Sequence, residues 1–402
     1  MSKILIITSS GIMAPQIMAF YKKAFDSLGH KTFVLDILKV EKDYREKGIS
    51  VWIKKVGDIK DFNPDFALSY GYTGMIRTND GVLLRQLGIP LALLHYDCPF
   101  FELEDDFKKE FIENSGYYYH FIWDREFLND FSRIKIKNLY PIMLAADEKI
   151  FSPVKRRCYS HDVTFLGSIS NSERARRERR KKNFPIINRF IDVAIEIKLK
   201  SVELGINQIC SELVEIPRFK ALKSVFATEV YYKKIYQAIH LEGSGKFRKR
   251  ILSSLDPSLL TVFSSETWGK RINFLPNTDY QEGLKVFKES KINLNITSLQ
   301  LEESINNRIF DVFASGGFLL TDFKEDLKLV LPDYEDIVYF STKDLKEKIR
   351  FYLSNKKKRE DIIERMQEAI LDKHTYKERA KYLLKIVNKE WKQTVKKLIE
   401  NA

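Results

Sequence analysis

The sequence predicts an α/β protein of two wound parallel sheets, the second interrupted by a helical insertion, and three observations carry that prediction. Residues 3–36 read as strand, helix, strand. Residues 292–322 read as strand, polar loop, short helix, double glycine and second strand. Between them, short β-branched runs alternate with helical periodicities, and 402 residues at ~100–200 per domain make two domains. A hydrophobic share of 44% is enough to form a core in each.

The elements follow in order. Residues 3–7 are apolar and β-branched and stop at Thr8-Ser9-Ser10-Gly11. Met18, Phe20, Ala24, Phe25 and Leu28 then keep helical spacing until Gly29, and residues 32–35 form the second strand. No G-x-G-x-x-G follows the first strand, so this Rossmann-like start carries no dinucleotide fingerprint. Further strands are expected at 66–69, 91–94, 121–123 and 137–140. Residues 145–160, with Pro153, read as the crossing to a second domain, which the strand at 163–166 opens. Ile186, Ile187, Phe190, Val193, Ala194 and Ile197 begin a helical stretch without a clear strand, so an insertion is expected at about 171–255. The strand pattern returns at 260–263, and residues 344–400 are helical, amphipathic and rich in lysine. The expected domains are 1–150, with a helix at 385–402 packing back on it, and 155–384.

Composition narrows the classes. No apolar run approaches the ~20 residues a membrane span requires, and the expected setting is the cytoplasm. Cys98, Cys158 and Cys210 are widely separated, which indicates neither a disulfide framework nor a thiolate metal cluster. A formal charge of +13, from 68 basic and 55 acidic residues, points to anionic partners: a nucleotide diphosphate, an acidic membrane surface or nucleic acid. The densest basic run, residues 174–182, would make nearly every face of a helix cationic. It reads as a solvated helix or as an anion site, and its lack of interleaved aromatics counts against nucleic acid.

Ligands of open α/β sheets bind beyond the carboxyl ends of the strands, which puts a polar ligand at the loop 297–307. Glu303 and Asp311 are eight apart there, with Asn306 and Arg308 between them. This spacing is similar to the E-x7-E signature of GT-B glycosyltransferases. Asn306-x-Arg308-x-x-Asp311, followed by Gly316-Gly317 and Leu320-Thr321-Asp322, resembles the branch of spore maturation protein CgeB and its relatives. His374-Thr375-Tyr376 with Arg379, the strand end Asp162 to Gly167-Ser168, His95-Tyr96-Asp97-Cys98-Pro99, and Pro141 through Asp147 to Pro153 resemble further motifs of that branch. The insertion shows no such likeness.

The resemblance implies a GT-B fold, two Rossmann-like domains facing a cleft, and sugar transfer from a nucleotide-diphosphate sugar to a protein, glycan or cell-envelope acceptor. No cofactor or metal is expected; the donor is a substrate, with a UDP-sugar favoured. The alternative is an anion-binding protein at a membrane surface or on nucleic acid, or an inactive scaffold, on the same fold.

Arg308, in the first turn of a helix, is the expected partner of the departing diphosphate, because free N–H groups and a two-pronged guanidinium both favour that anion. The plainer reading is an ion pair with Asp311. Asp311 would accept from the ribose hydroxyls, although it is one methylene shorter than the usual Glu. Glu303, or Glu302 beside it, would meet the sugar or the loop backbone. Asn306 bonds the donor or, more commonly for such an Asn, caps the helix. Asn295 at the strand end, Gly167, Ser168, Arg174 and Lys270 complete the expected donor side, with Trp268 near the base. On the first domain Gly11 lies in an acceptor-side loop, and His95 and Asp97 would project to one side of an extended strand as an acceptor base. Turn formation before Pro99 explains Asp97 about as well. Packing for Tyr376 and helix capping for His374 are the expected roles in the closing motif.

Overall fold

The computed structural model describes residues 1–8, 10–11, 13–151, 158–169, 172–226, 229–269 and 271–400. The chain divides into two compact units, Met1–Glu148 with Asp372–Ala402, and Lys149–Leu371.

The first unit is built on a parallel sheet of β1 (Lys3–Thr8), β2 (Lys31–Asp36), β3 (Phe66–Tyr70), β4 (Leu91–His95), β5 (Tyr118–Ile122) and β6 (Leu139–Pro141), in the order β2-β1-β3-β4-β5-β6. Ile4, Leu5, Ile6 and Ile7 are each at most 1% exposed, as a central strand covered on both faces requires. Helix α1 (Ala14–Ser27) starts with Pro15 in its first turn and buries Ile17, Met18, Tyr21, Ala24 and Phe25. Asp36, the last residue of β2, accepts from Lys39 N at 3.1 Å and caps the next helix. The strand expected at 121–123 lies earlier, because Asp124 caps a following helix by accepting from Glu126 N, and the aromatic Tyr118 and Tyr119 extend the strand backwards.

The chain rejoins this unit at Asp372, ahead of the 385 expected, and the closing motif supplies the reason. Ala146 N donates to His374 O at 3.0 Å and Tyr376 N to Ala146 O at 3.1 Å. Arg379 donates to the carbonyls of Met143, Leu144 and Lys373 and, at 2.9 Å, to His374 Nδ1. Thr375, not His374, serves the helix start by accepting from Glu378 N. The Tyr376 ring packs against Phe20 and Tyr21 of α1, and helix α7 (Tyr376–Glu400) runs on from this clasp.

The second unit carries a parallel sheet of β7 (His161–Leu166), β8 (Leu260–Phe263), β9 (Asn273–Leu275), β10 (Ser290–Asn295), β11 (Leu319–Asp322) and β12 (Val338–Tyr339), in the order β9-β8-β7-β10-β11-β12. The edge strands β9 and β12 are three and two residues long, too short to leave a periodic signal. Between β7 and β8 the insertion is helical: α2 (Ser172–Lys182), α3 (Pro185–Lys200), α4 (Ile206–Leu213) and α5 (Glu229–Ser253). The basic run lies on α2, and its expected all-round cationic surface is not what forms. Arg179 is 7% exposed and forks onto Glu242 at 2.6 Å and Asp192 at 2.7 Å. Arg176 and Arg180 also reach Asp192, so three of the run's seven basic side chains are paired inside the insertion. Burial pushes the Asp192 carboxyl up, but hydrogen bonds from three guanidiniums outweigh it and hold the group well below the usual range. Among the described residues no helix is long and apolar enough to cross a membrane.

Two core histidines make the first unit acid-sensitive. His95 Nε2 lies 3.2 Å from His120 Nδ1 on neighbouring strands, and His120 Nε2 has no partner among the described residues. Burial lowers His95 to about 3, and burial plus the neighbouring ring lowers His120 well below its ordinary value. Above the unfolded-state value of ~6.5 both states are neutral; below it the unfolded chain takes up protons that the folded one resists. Stability is therefore full above ~6.5 and falls as pH drops toward 3, by at most about 2.7 kcal/mol per pH unit for two protons. Urea unfolding from pH 7 to 5 should show the loss, and His95→Phe with His120→Phe should flatten it.

Candidate active site

Polar groups gather where β7, β10 and β11 end. The chain leaves β7 at Gly167, whose N–H donates to Phe263 O at 3.2 Å. A Cβ on Gly167 would stand 2.6 Å from Arg308 Nη2 and 3.3 Å from Phe165 Cζ, so the missing side chain makes room for a guanidinium. On the far side of β10, Gly316 (φ +82°) stops helix α6 (Asn307–Ala314), and a Cβ on Gly317 would lie 2.7 Å from Phe287 O. Both glycines of the pair are thus demanded by geometry, one by its φ and one by close approach.

Arg308 is the second residue of α6, half-buried. Its Nη1 donates to Asn295 Oδ1 at 2.5 Å, and its guanidinium lies 5.4 Å from the centre of the Phe165 ring. The plainer reading, an ion pair with Asp311, gives way to a hydrogen bond to Asn295. A second guanidinium, Arg248 of α5, lies 5.8 Å from the same ring and donates to Ser168 O at 2.6 Å and Ile296 O at 3.1 Å. Every hydrogen-bond acceptor these two cations meet among the described residues is a neutral oxygen. Burial, then the charge of Arg248, lowers Arg308 to about 9, against the pull of Asp311 and Asp322; burial lowers Arg248 to about 10. Two cations beside one aromatic ring, without an ion pair among the described residues, make a site in want of an anion.

The surrounding residues are placed by the same network. Asn295 Oδ1 also accepts from Asn306 Nδ2 at 2.9 Å, which draws the Asn306 side chain off the helix start it precedes. The capping expected of Asn306 does not occur, and its Oδ1 is buried without a partner among the described residues. Asp311, 3% exposed, accepts from Tyr280 Oη at 2.9 Å and Asn307 Nδ2 at 3.0 Å. Ser168 is exposed, as is Arg174 on α2. Trp268 Nε1 donates to Ser253 Oγ at 2.8 Å and its ring packs on Phe274. Lys270 and Pro153 lie outside the described residues.

Glu302 and Glu303, equivalent in the sequence, separate here. Glu302 accepts from Lys198 Nζ at 3.1 Å and Ile206 N at 3.1 Å, and the Lys198 side chain is 0% exposed. It ties the insertion to the loop after β10. Lys324 Nζ donates to Leu301 O, and Leu299 N to Ser244 Oγ, from the other sides. Glu303 is half-buried, with its carbonyl accepting from Asp326 N at 3.1 Å.

In the first unit, Gly11 (φ +116°) and Asp97 line one pocket of about 350 Å³, with Tyr70 and Glu102. Asp97 is exposed and accepts from Tyr70 Oη at 2.8 Å. His95 borders the same pocket but is 2% exposed and bonded to His120. The strand ends at His95, and alternation governs no residue beyond it. Desolvation, then the charge of Asp97, raises the Glu102 carboxyl above its ordinary value. Arg248, Tyr70 and Glu102 escape sequence reasoning: Arg248 sits in Lys246-Phe-Arg-Lys-Arg250, which reads as an ordinary basic helix surface.

Removing Glu302 strands a buried ammonium. Glu302→Ala should cost about 3–5 kcal/mol in chemical denaturation, whereas Lys198→Met with Glu302→Leu should recover most of the loss.

Residues 245–385 match the family model Glyco_trans_1_2, described as Glycosyl transferase-like. No curated protein matches the chain. Among solved structures, the DNA-modifying enzyme β-glucosyltransferase, crystallised with and without uridine diphosphoglucose, is similar at a TM-score of 0.54 and 11% identity, over 96% of this chain and 99% of that one. T4 phage β-glucosyltransferase aligns at 0.53, with the same identity and coverage. An α-glucosyltransferase in complex with UDP-glucose and DNA containing an abasic site aligns at 0.54, 11% identity, 96% and 99% coverage. The fold is that of the GT-B glycosyltransferases, and the glycosyl transferase-like match runs from the last helix of the insertion through the second unit to the segment that rejoins the first.

Proposed function

We propose that this glycosyltransferase moves a sugar from a nucleotide-diphosphate sugar to a hydroxyl of a protein, glycan or envelope acceptor, and that it falls in the CgeB-like branch. The observation that carries the reading is the pair Arg308 and Arg248, held beside the Gly167-Ser168 turn with only neutral acceptors. When the bond from the sugar's anomeric carbon to the diphosphate oxygen breaks, the electron pair leaves with the nucleotide, and these two cations meet the charge that appears. The start of α6, where Asn306 makes no side-chain cap, adds the partial positive charge of a helix N-terminus next to Arg308. Such an arrangement performs the neutralisation that a divalent ion performs elsewhere, which is the basis for metal-independent transfer.

Asp311 fits the ribose role as an acceptor-only carboxylate one turn beyond Arg308 on α6, held in place by Tyr280 and Asn307. Asn306 Oδ1 is a second acceptor for the donor, with Glu303 on the loop beside it. UDP is the favoured nucleotide: the similar glucosyltransferases were crystallised with UDP-glucose. On the acceptor side Asp97 takes the proton of the attacking hydroxyl, with Gly11 leaving the pocket open and His95 supporting the strand from the core. The proposed setting is the cytoplasm, with peripheral contact at an acidic membrane surface through the exposed part of the basic run.

Nucleotide binding tests the reading. UDP at a hundredfold its Kd should stabilise the protein by about 2.7 kcal/mol in a thermal shift assay. Arg308→Ala and Arg248→Ala should each weaken UDP binding by about 1.5–3 kcal/mol, the worth of a hydrogen bond to a charged group. Failure of UDP and every other nucleoside diphosphate to shift Tm overturns the proposal. Gly167→Ala should reproduce the Arg308→Ala loss with little change in stability of the free protein, because the added methyl occupies the guanidinium's place.

A further inference from the structure

The pocket of the first unit limits what the acceptor can be, an inference that rests on the glycosyl-transfer reading above. We propose that it receives the reacting end of a sugar that is uncharged or bears an ammonium group, and that it rejects phosphate-bearing and nucleic-acid acceptors.

At about 350 Å³ the pocket lies at the small end of the ~300–1,000 Å³ typical of ligand sites, which suits a single ring better than a stretch of polymer. Tyr70 and Phe101, both half-buried, line it with aromatic surface on which the C–H face of a sugar can rest. Charge then decides between sugars. Asp97 and Glu102 both line the pocket, and the described lining holds no lysine or arginine. Their oxygens only accept hydrogen bonds when ionised, so they select hydroxyl and ammonium donors. A phosphate oxygen brought to the same place offers no donor and meets two negative charges. The negative field is felt inside the pocket itself, since Asp97 hinders ionisation of Glu102.

Equilibrium binding to the full chain, without nucleotide, tests this with methyl glucoside, glucosamine, glucose 6-phosphate and a short DNA duplex. Methyl glucoside and glucosamine should bind, and glucose 6-phosphate and the duplex at least about tenfold more weakly. Asp97→Asn with Glu102→Gln keeps the shape and should abolish the discrimination; Glu102→Gln alone should reduce it. Binding of glucose 6-phosphate or DNA as tight as that of methyl glucoside, binding of none of the probes, or discrimination that survives the double substitution would each overturn the inference. Arg308→Ala should leave these affinities unchanged, so the outcome is separable from that of the nucleotide test.

Discussion

Two like charges held on one aromatic ring are the constraint on which the second unit turns. Arg308 and Arg248 repel each other, both are partly desolvated, and each is fixed by neutral oxygens rather than by a carboxylate. Such an arrangement is unfavourable in isolation and persists because the fold over-determines it. The Phe165 ring supplies a π face to both, Gly167 leaves the space, Asn295 accepts from below, and the carbonyls of Ser168 and Ile296 fix the second cation. Strand ends, loop and helix start are arranged around that pair.

The insertion belongs to this arrangement and is not an appended module. It contributes Arg248 from α5, and through Lys198 of α3 and the N–H of Ile206 it grips Glu302 in the loop after β10. Ser244 of α5 holds the same loop at Leu299. A basic-looking module thus turns much of its charge inward, on Asp192, Glu242 and Glu302, and its outward face is less cationic than its composition suggests.

Much of the architecture was legible because parallel strands buried on both faces leave apolar runs, and β1, β4 and β8 do so. The donor loop was legible for another reason: Arg308, Asp311 and the double glycine sit close in sequence, so their spacing survives as a pattern. What was not legible is long-range. Nothing near Arg248 says that it meets Ser168, eighty positions away. Nothing in Glu302-Glu303 says which carboxylate an insertion lysine will claim. Asn306 had the sequence of a helix cap and lost that role to a strand residue, Asn295. His95 and Asp97 were paired by strand alternation, but the strand ends at His95, two residues before Asp97.

The clasp around Arg379 has a consequence for the order of events on the ribosome. The first unit needs residues 372–400 to cover Phe20 and Tyr21, yet residues 149–371 are synthesised in between. The contiguous second unit can form as soon as it emerges, whereas the first must wait with part of α1 uncovered until the distant segment arrives. Nascent chains stalled before position 376 should therefore present a sticky aromatic surface to chaperones, and arrival of the Tyr376 ring ends that exposure.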